Sequence, residues 1–273
     1  MTDASDPTGR VLIIAGSDSG GGAGIQADIK TVTMLGGYAM TAITAITAQD
    51  TTGVHGVWPV ALDAVQRQMT ACLSDIGADT IKTGMLGSAT LVESVAETLD
   101  ERARDVPRII DPVMVATSGD ALVDEPAVSA IASLMIPGAT LVTPNAPEAQ
   151  VLTNKAVDGI NGQRRAAEAL LERGAKGALV KGGHIPGKQV VDVLQTETGE
   201  WIFESERINT SSTHGTGCTL ASACAALVAQ GQAIPDAVDA ARLYLHEAIK
   251  QAPGLGHGHG PVAHNWKLLD QES

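Results

Sequence analysis

In Thr213-His214-Gly215-Thr216-Gly217-Cys218, small residues stand directly ahead of an apolar, alanine-rich run from Thr219 to Ala229 that reads as a helix. Gly215, Thr216 and Gly217 let the backbone bend tightly and leave little side chain in front of the first turn. The free N–H groups of a helix start then converge on one spot, which suits an anion and phosphate in particular. Such a spot is a candidate oxyanion hole for a transferring phosphoryl group. An ordinary helix start with glycines in its connecting turn reads the same way.

Two carboxylates and a lysine stand at the ends of other apolar runs. Asp111-Pro112-Val113-Met114 closes one run, and Thr143-Pro144-Asn145-Ala146-Pro147-Glu148 closes another. Asp111 and Glu148 on neighbouring strand ends suit a hydrated Mg²⁺, which takes one or two carboxylates together with waters and phosphates. Asn145 is equally a helix N-cap, with Glu148 three residues on as its capping box, and the two roles are compatible. Lys181, in Lys181-Gly182-Gly183-His184, either neutralises nucleotide phosphates or stays solvated in a turn. No Walker A sequence occurs, which argues against a P-loop kinase.

The glycine-rich segment from Ala15 to Gly24 admits three readings. Gly22-x-Gly24-x-x-Ala27 with Asp50 beyond the next strand is a loose dinucleotide fingerprint, although the loop before it is long for the usual tight turn. Asp18-Ser19-Gly20-Gly21 mimics part of a serine-protease nucleophile loop, in a chain of the wrong class for it. The third reading is a substrate loop of a small-molecule kinase. Of the seven histidines, His257 and His259 share a glycine loop without an acidic or cysteine ligand beside them. A loop near a nucleotide, or plain exposure, therefore ranks above zinc. His214, beside the anion loop, reads as a packing residue.

The elements that must position these groups alternate in type. Val11 to Ala15, Tyr38 to Thr47, Thr80 to Thr83, Arg108 to Asp111, Thr140 to Thr143 and Ala178 to Lys181 read as strands. Gly24 to Leu35, Leu62 to Ile76, Cys218 to Gln230 and Pro235 to Gln251 read as helices, and Val190 to Thr196 with Trp201 to Arg207 as a hairpin around Gly199. Alternation of this kind predicts βαβ units and an α/β fold with a mostly parallel sheet covered on both faces. Ligands then bind beyond the carboxyl ends of the strands, where every motif above lies.

Composition sets the outer bounds. The 273 residues suit one large domain, taken here as 1–273 with a core from about 10 to 266. Hydrophobic residues make up 44% but aromatics only 2%, so the core must be aliphatic. A net charge of −13 argues against nucleic acid or an anionic membrane as a partner. Cys72, Cys218 and Cys224 form no C-x-x-C pair and suit a reducing, cytoplasmic setting. The polar residues from Met1 to Gly9 lack a signal-peptide pattern, and no apolar run is long enough to span a bilayer.

Seven segments occur in order: AGSDSGGGAGIQADIKT from Ala15, TAQDTTGV from Thr47, KTGML from Lys82, DPVMVATSGD from Asp111, TPNAPEA from Thr143, VKGGH from Val180 and THGTGC from Thr213. The series resembles the hydroxymethylpyrimidine/phosphomethylpyrimidine kinases of thiamine biosynthesis, within the ribokinase-like superfamily. The resemblance covers nearly the whole chain, from about Val11 to Trp266. It implies a three-layer αβα sandwich, usually a homodimer, that uses ATP and Mg²⁺. It implies two successive phosphorylations, of 4-amino-5-hydroxymethyl-2-methylpyrimidine and then of its monophosphate.

By the same resemblance, Gly16, Ala23, Thr47, Gln49, Met85 and Val113 form the pyrimidine pocket. Gln49 offers a donor and an acceptor to the aminopyrimidine edge, and Met85 an apolar face to the ring. Asp28, within GIQAD, either joins the site or anchors its loop. Gly215, Thr216, Gly217 and Cys218 form the anion hole. Asp111, Asn145 and Glu148 organise Mg²⁺ and its waters, while Lys181 and Thr213 approach the ATP phosphates. Many sugar and nucleoside relatives end the anion loop with an Asp general base; here Cys218 stands there, expected to position the acceptor rather than deprotonate it. A pyridoxal or pyridoxine kinase of the same fold is the alternative, and a dinucleotide-dependent oxidoreductase or a non-catalytic pyrimidine sensor are the readings from other classes.

Overall fold

An unbroken aliphatic run makes Arg10–Asp18 (β1) a strand whose residues Val11 to Ala15 are buried on both faces. That pattern belongs to the interior of a parallel sheet. The computed structural model describes residues 9–116, 119 and 122–269. The N-terminal residues 1–8, and Thr117, Ser118 and Asp120 of the DPVMVATSGD segment, lie outside the described residues.

In chain order the elements are β1, α1 (Gly24–Met34), β2 (Tyr38–Gln49), β3 (Val54–Pro59), α2 (Leu62–Asp75), β4 (Thr80–Thr83), α3 (Ala89–Arg102) and β5 (Arg108–Ile110). Then follow α4 (Glu125–Ala130), β6 (Leu141–Val142), α5 (Ala146–Thr153), α6 (Ile160–Glu172) and β7 (Gly177–Val180). The chain closes with β8 (Gln189–Thr196), β9 (Gly199–Glu206), α7 (Thr216–Ala229), α8 (Ile234–Lys250) and α9 (Trp266–Leu269). Among the described residues nine strands form one sheet, in the order β3-β2-β1-β4-β5-β6-β7-β8-β9. From β2 to β7 neighbours run parallel; β3 and the β8–β9 hairpin are antiparallel additions at the two edges.

Each face of the sheet has its own apolar layer. Leu12, Ile14, Ile81 and Ile110 face a cluster with residues of α2, α3, α5 and α6. Val11, Ile13, Ile109 and Leu141 face a second cluster with α1, α7 and α8. Residues Thr219 to Leu227 of α7 are all buried. A helix buried on every side must be slim, and alanine lets it lie between the sheet and the outer helices. This is the expected three-layer α/β architecture.

Two features depart from the sequence expectation. β1 continues past Ala15 to Asp18, because a register shift after Ala15 lets Ser17 and Asp18 pair with Ile46 and Thr47. The glycine-rich segment therefore starts as strand. β3 carries no hydrophobic alternation, and none of its residues is buried. It pairs with β2 as an edge strand, where backbone bonding rather than burial supports it.

Candidate active site

Adjacent parallel strands deliver the polar groups to one edge. Asp111 follows β5, Asn145 follows β6 and Lys181 follows β7. Asn145 and Lys181 form a parallel bridge, and the Lys181 N–H donates to the Pro144 carbonyl at 2.9 Å. Asp111 is 2% exposed. Its Oδ1 accepts from Thr143 Oγ1 at 3.3 Å and from Lys181 Nζ at 3.4 Å. Its Oδ2 is buried with no hydrogen-bond partner among the described residues. A buried carboxyl oxygen left without a partner is costly unless a ligand completes it. Burial pulls the Lys181 ammonium towards neutrality, but the charges of Asp111 and Glu148 outweigh it and raise its pKa.

The capping box forms as the spacing predicts. Asn145 Oδ1 accepts from the Glu148 N–H at 2.9 Å, and Glu148 Oε2 accepts from the Asn145 N–H at 2.8 Å. Burial pushes the Glu148 carboxyl up to about 7, with Lys181 opposing the shift and Asp111 adding to it. Among the described residues no three His, Cys, Asp or Glu side chains are grouped to hold a metal by themselves. Two carboxylates with only oxygen donors, one of them carrying an orphaned oxygen, fit Mg²⁺ shared with phosphate.

The anion loop begins α7 as expected. Gly215 is the N-cap at φ 78°, a left-handed conformation that favours glycine. A Cβ there would also run into the Gly22 carbonyl oxygen. A Cβ on Gly217 would lie 3.3 Å from Lys181 Nζ and 3.9 Å from Asp111 Oδ2, so the anion loop faces the strand-end charges directly. Among the described residues no hydrogen bond takes the N–H groups of Gly217 and Cys218. These are the donors a helix start offers to an anion.

The same edge carries an apolar recess. A Cβ on Gly16 would come within 2.6 Å of Met85 Cε, so Met85 closes down on bare backbone. Thr47 Oγ1 donates to the Ser17 carbonyl at 2.9 Å and to Gln49 Oε1 at 3.2 Å. One cavity of about 750 Å³ spans the recess and the charged end. Gly16, Ala23, Thr47, Gln49, Met85 and Val113 line its apolar part. Asp111, Asn145, Glu148 and Lys181 line the rest, with Thr213, Gly215, Thr216, Gly217 and Cys218. Asp50 does not line it; its carboxylate holds Thr52 and His55, which leaves the dinucleotide fingerprint without a ribose ligand. Ser19 Oγ donates to the Gln49 carbonyl at 2.7 Å and serves the loop rather than a nucleophile's role.

Two buried pairs, Lys82 with Asp28 and Asp18 with His214, tie the elements of the site together. Lys82 and Asp28 are both fully buried, and Lys82 Nζ donates to Asp28 Oδ1 and Oδ2 at 2.9 Å. Ser222 of α7 donates to the same carboxylate at 2.7 Å. Asp28 thus anchors α1 to β4 and α7. Burial pulls the Lys82 ammonium down, but the negative charge of Asp28 raises its pKa on balance. Asp18 accepts from His214 Nε2 at 2.8 Å, so His214 packs, as expected, but as a hydrogen-bonding partner of the glycine loop. A lysine inside a four-residue strand is the visible signal for Lys82; the sequence offers Asp28 as a loop anchor and His214 as a packing residue, but nothing in it gives the partner of either. The Cys218 thiol is pushed up to about 12 by burial, with Lys82 opposing, and stays protonated at neutral pH.

The sequence profile of a family described as phosphomethylpyrimidine kinase matches residues 18–263. A hydroxymethylpyrimidine/phosphomethylpyrimidine kinase of Streptomyces coelicolor is 48% identical over 258 residues, 94% of this chain and 95% of that one. An ADP complex of Bacillus subtilis pyridoxal kinase superposes with a TM-score of 0.89 at 35% identity, over 96% of this chain and 99% of that one. A phosphomethylpyrimidine kinase from Clostridium difficile gives 0.79 at 36% identity, over 88% and 99%. With its ribokinase-like αβα fold, this chain belongs to the phosphomethylpyrimidine kinase family of phosphotransferases.

Proposed function

We propose that the chain transfers phosphoryl groups from ATP, with Mg²⁺, to 4-amino-5-hydroxymethyl-2-methylpyrimidine and then to its monophosphate, yielding the diphosphate for thiamine biosynthesis. One observation carries this: a single cavity is lined both by Gly16, Gln49 and Met85 and by an anion loop facing an orphaned carboxylate oxygen. Gln49 holds the aminopyrimidine edge between Met85 and the Gly16 backbone, with Ala23, Thr47 and Val113 completing the fit. The N–H groups of Gly217 and Cys218 receive charge that develops on the transferring phosphoryl group. Lys181 and Thr213 draw in the nucleotide phosphates. Mg²⁺, when bound through Asp111, Glu148 and waters organised by Asn145, supplies neutralisation of phosphate charge. Cys218, as a neutral thiol, positions the acceptor oxygen. The second transfer needs still less of a base, because its acceptor is already an anionic phosphate.

One domain carries both steps in this account, in the cytoplasm and as a homodimer. The cross-strand pair Ile46 and Trp58, 54% and 59% exposed at the β2–β3 edge, supplies apolar surface for a second copy. Pyridoxal is a second reading, favoured by the TM-score of 0.89 to a pyridoxal kinase and by the Cys218 thiol that lines the cavity. Calorimetry with the pyrimidine alcohol separates the two. A Gln49→Leu variant should bind the pyrimidine about 10- to 100-fold more weakly, the usual cost of an unpaired polar edge, and leave nucleotide binding unchanged. Equal affinity in both proteins removes Gln49, and with it the pyrimidine preference, from the account.

A further inference from the structure

The glycine loop and the anion loop are held together by one carboxylate. Asp18, 3% exposed, accepts from the N–H groups of Gly20 at 2.8 Å, Gly22 at 3.0 Å and Ala23 at 2.8 Å. The oxygen that binds Gly22 and Ala23 also takes His214 Nε2 at 2.8 Å. Burial disfavours this carboxylate, but His214 and the Ala23 and Gly20 N–H groups lower its pKa overall. It is therefore ionised and fully engaged.

His214 is the residue before the N-cap of α7. Its own N–H donates to the Gly260 carbonyl at 3.0 Å, which ties it to the C-terminal segment. Around this bond the two loops touch backbone to backbone. A Cβ on Gly22 would overlap the His214 ring, and one on Gly215 would overlap the Gly22 carbonyl. The Gly24 N–H reaches the Cys218 sulfur. The loops have no slack, so a displacement of Ala23 is passed to Gly215 and to the N–H groups beyond it.

We propose that Asp18 is a positioning residue which, through His214, couples occupancy of the ring recess to the geometry of the anion loop. Its carboxylate oxygens are taken up by the Gly20, Gly22 and Ala23 N–H groups and by His214. Filling the recess against Ala23 fixes Asp18, Asp18 fixes His214, and His214 fixes the start of α7 where phosphate binds. The acceptor and the nucleotide then tighten each other's binding reciprocally. This rests on the pyrimidine and ATP assignments given under Proposed function.

The test is a set of calorimetric titrations. A non-hydrolysable ATP analogue with Mg²⁺ is titrated into the protein with and without saturating pyrimidine alcohol. In the wild type the pyrimidine should tighten the nucleotide at least about 5-fold, the lower end of common coupling factors. Asp18→Asn and His214→Leu should each bind both ligands with the factor reduced to about 1, and the double variant should lose no more. His214→Gln, which keeps a side-chain donor, should retain part of it. If Asp18→Asn does not fold, the His214 pair decides alone. Wild-type coupling in His214→Leu overturns the proposal, as does a wild-type factor of 1. Absence of any pyrimidine binding to the wild type is a different failure: it removes the substrate assignment, and the proposal falls with it.

Discussion

Lys82 Nζ lies 2.9 Å from both oxygens of Asp28, and neither side chain is exposed to solvent. Lys82 lines the cavity, and the pair joins β4 to α1, while Ser222 brings in α7. Removing one partner leaves the other charge buried without its counter-charge, at a cost of about 3–5 kcal/mol. Lys82→Met should therefore lower the urea midpoint sharply. Lys82→Met combined with Asp28→Leu should recover most of the loss, because both charges are gone. A single variant as stable as wild type would mean that the pair is not charged.

Gly217 is narrower in its requirement than Gly215. Gly217→Ala places a methyl 3.3 Å from Lys181 Nζ, a contact the flexible lysine relieves by moving away from Asp111. Its folding should be near normal, with turnover down about 10- to 100-fold from misplaced phosphate donors. Gly215→Ala meets backbone at φ 78° and should also lose stability. Thermal melts and steady-state kinetics on both variants separate the two effects.

Much of this arrangement was legible from the sequence, and what was not shares a cause. The central strands and α7 announce themselves because burial on both sides demands continuous apolar runs. The capping box of Asn145 and Glu148 is local, so a four-residue pattern suffices. β3 has no buried residue and includes Gly56 and Pro59, so periodicity has nothing to act on. Asp18 meets His214 across 196 residues, and Lys82 meets Asp28 across 54. No spacing rule reaches that far; only the parallel sheet brings those positions together.

Glu148 makes stability depend on pH. Below about 4.5, its ordinary value, the carboxyl is protonated in both folded and unfolded chains. Between about 4.5 and about 7 the unfolded chain ionises while the native side chain keeps its proton, so stability falls as pH rises. The span corresponds to roughly 3 kcal/mol. Glu148→Gln keeps an acceptor for the Asn145 N–H and removes this loss. The nucleotide-free variant should melt higher than wild type at pH 7.5, match it more closely at pH 4.5, and turn over at least about 10-fold more slowly. A variant that melts lower at pH 7.5 would show that Glu148 is stabilised in its ionised form.

Cys218 carries a thiol pushed up to about 12, so it holds its proton at the pH of turnover. General bases typically contribute about 10²–10⁴-fold. Cys218→Ala should lose less than about 10-fold in kcat for the first transfer, with an unchanged pH profile between 6 and 9. A loss of 100-fold or more, together with disappearance of a rise in kcat with pH, would assign the base to the thiol.

The most direct measurement offers ATP and Mg²⁺ with the pyrimidine alcohol, its monophosphate and pyridoxal in separate reactions, and follows products by mass. The alcohol should pass through the monophosphate to the diphosphate, and the monophosphate alone should also be converted. Phosphorylation of pyridoxal only, or of none of the three, would contradict the proposed function.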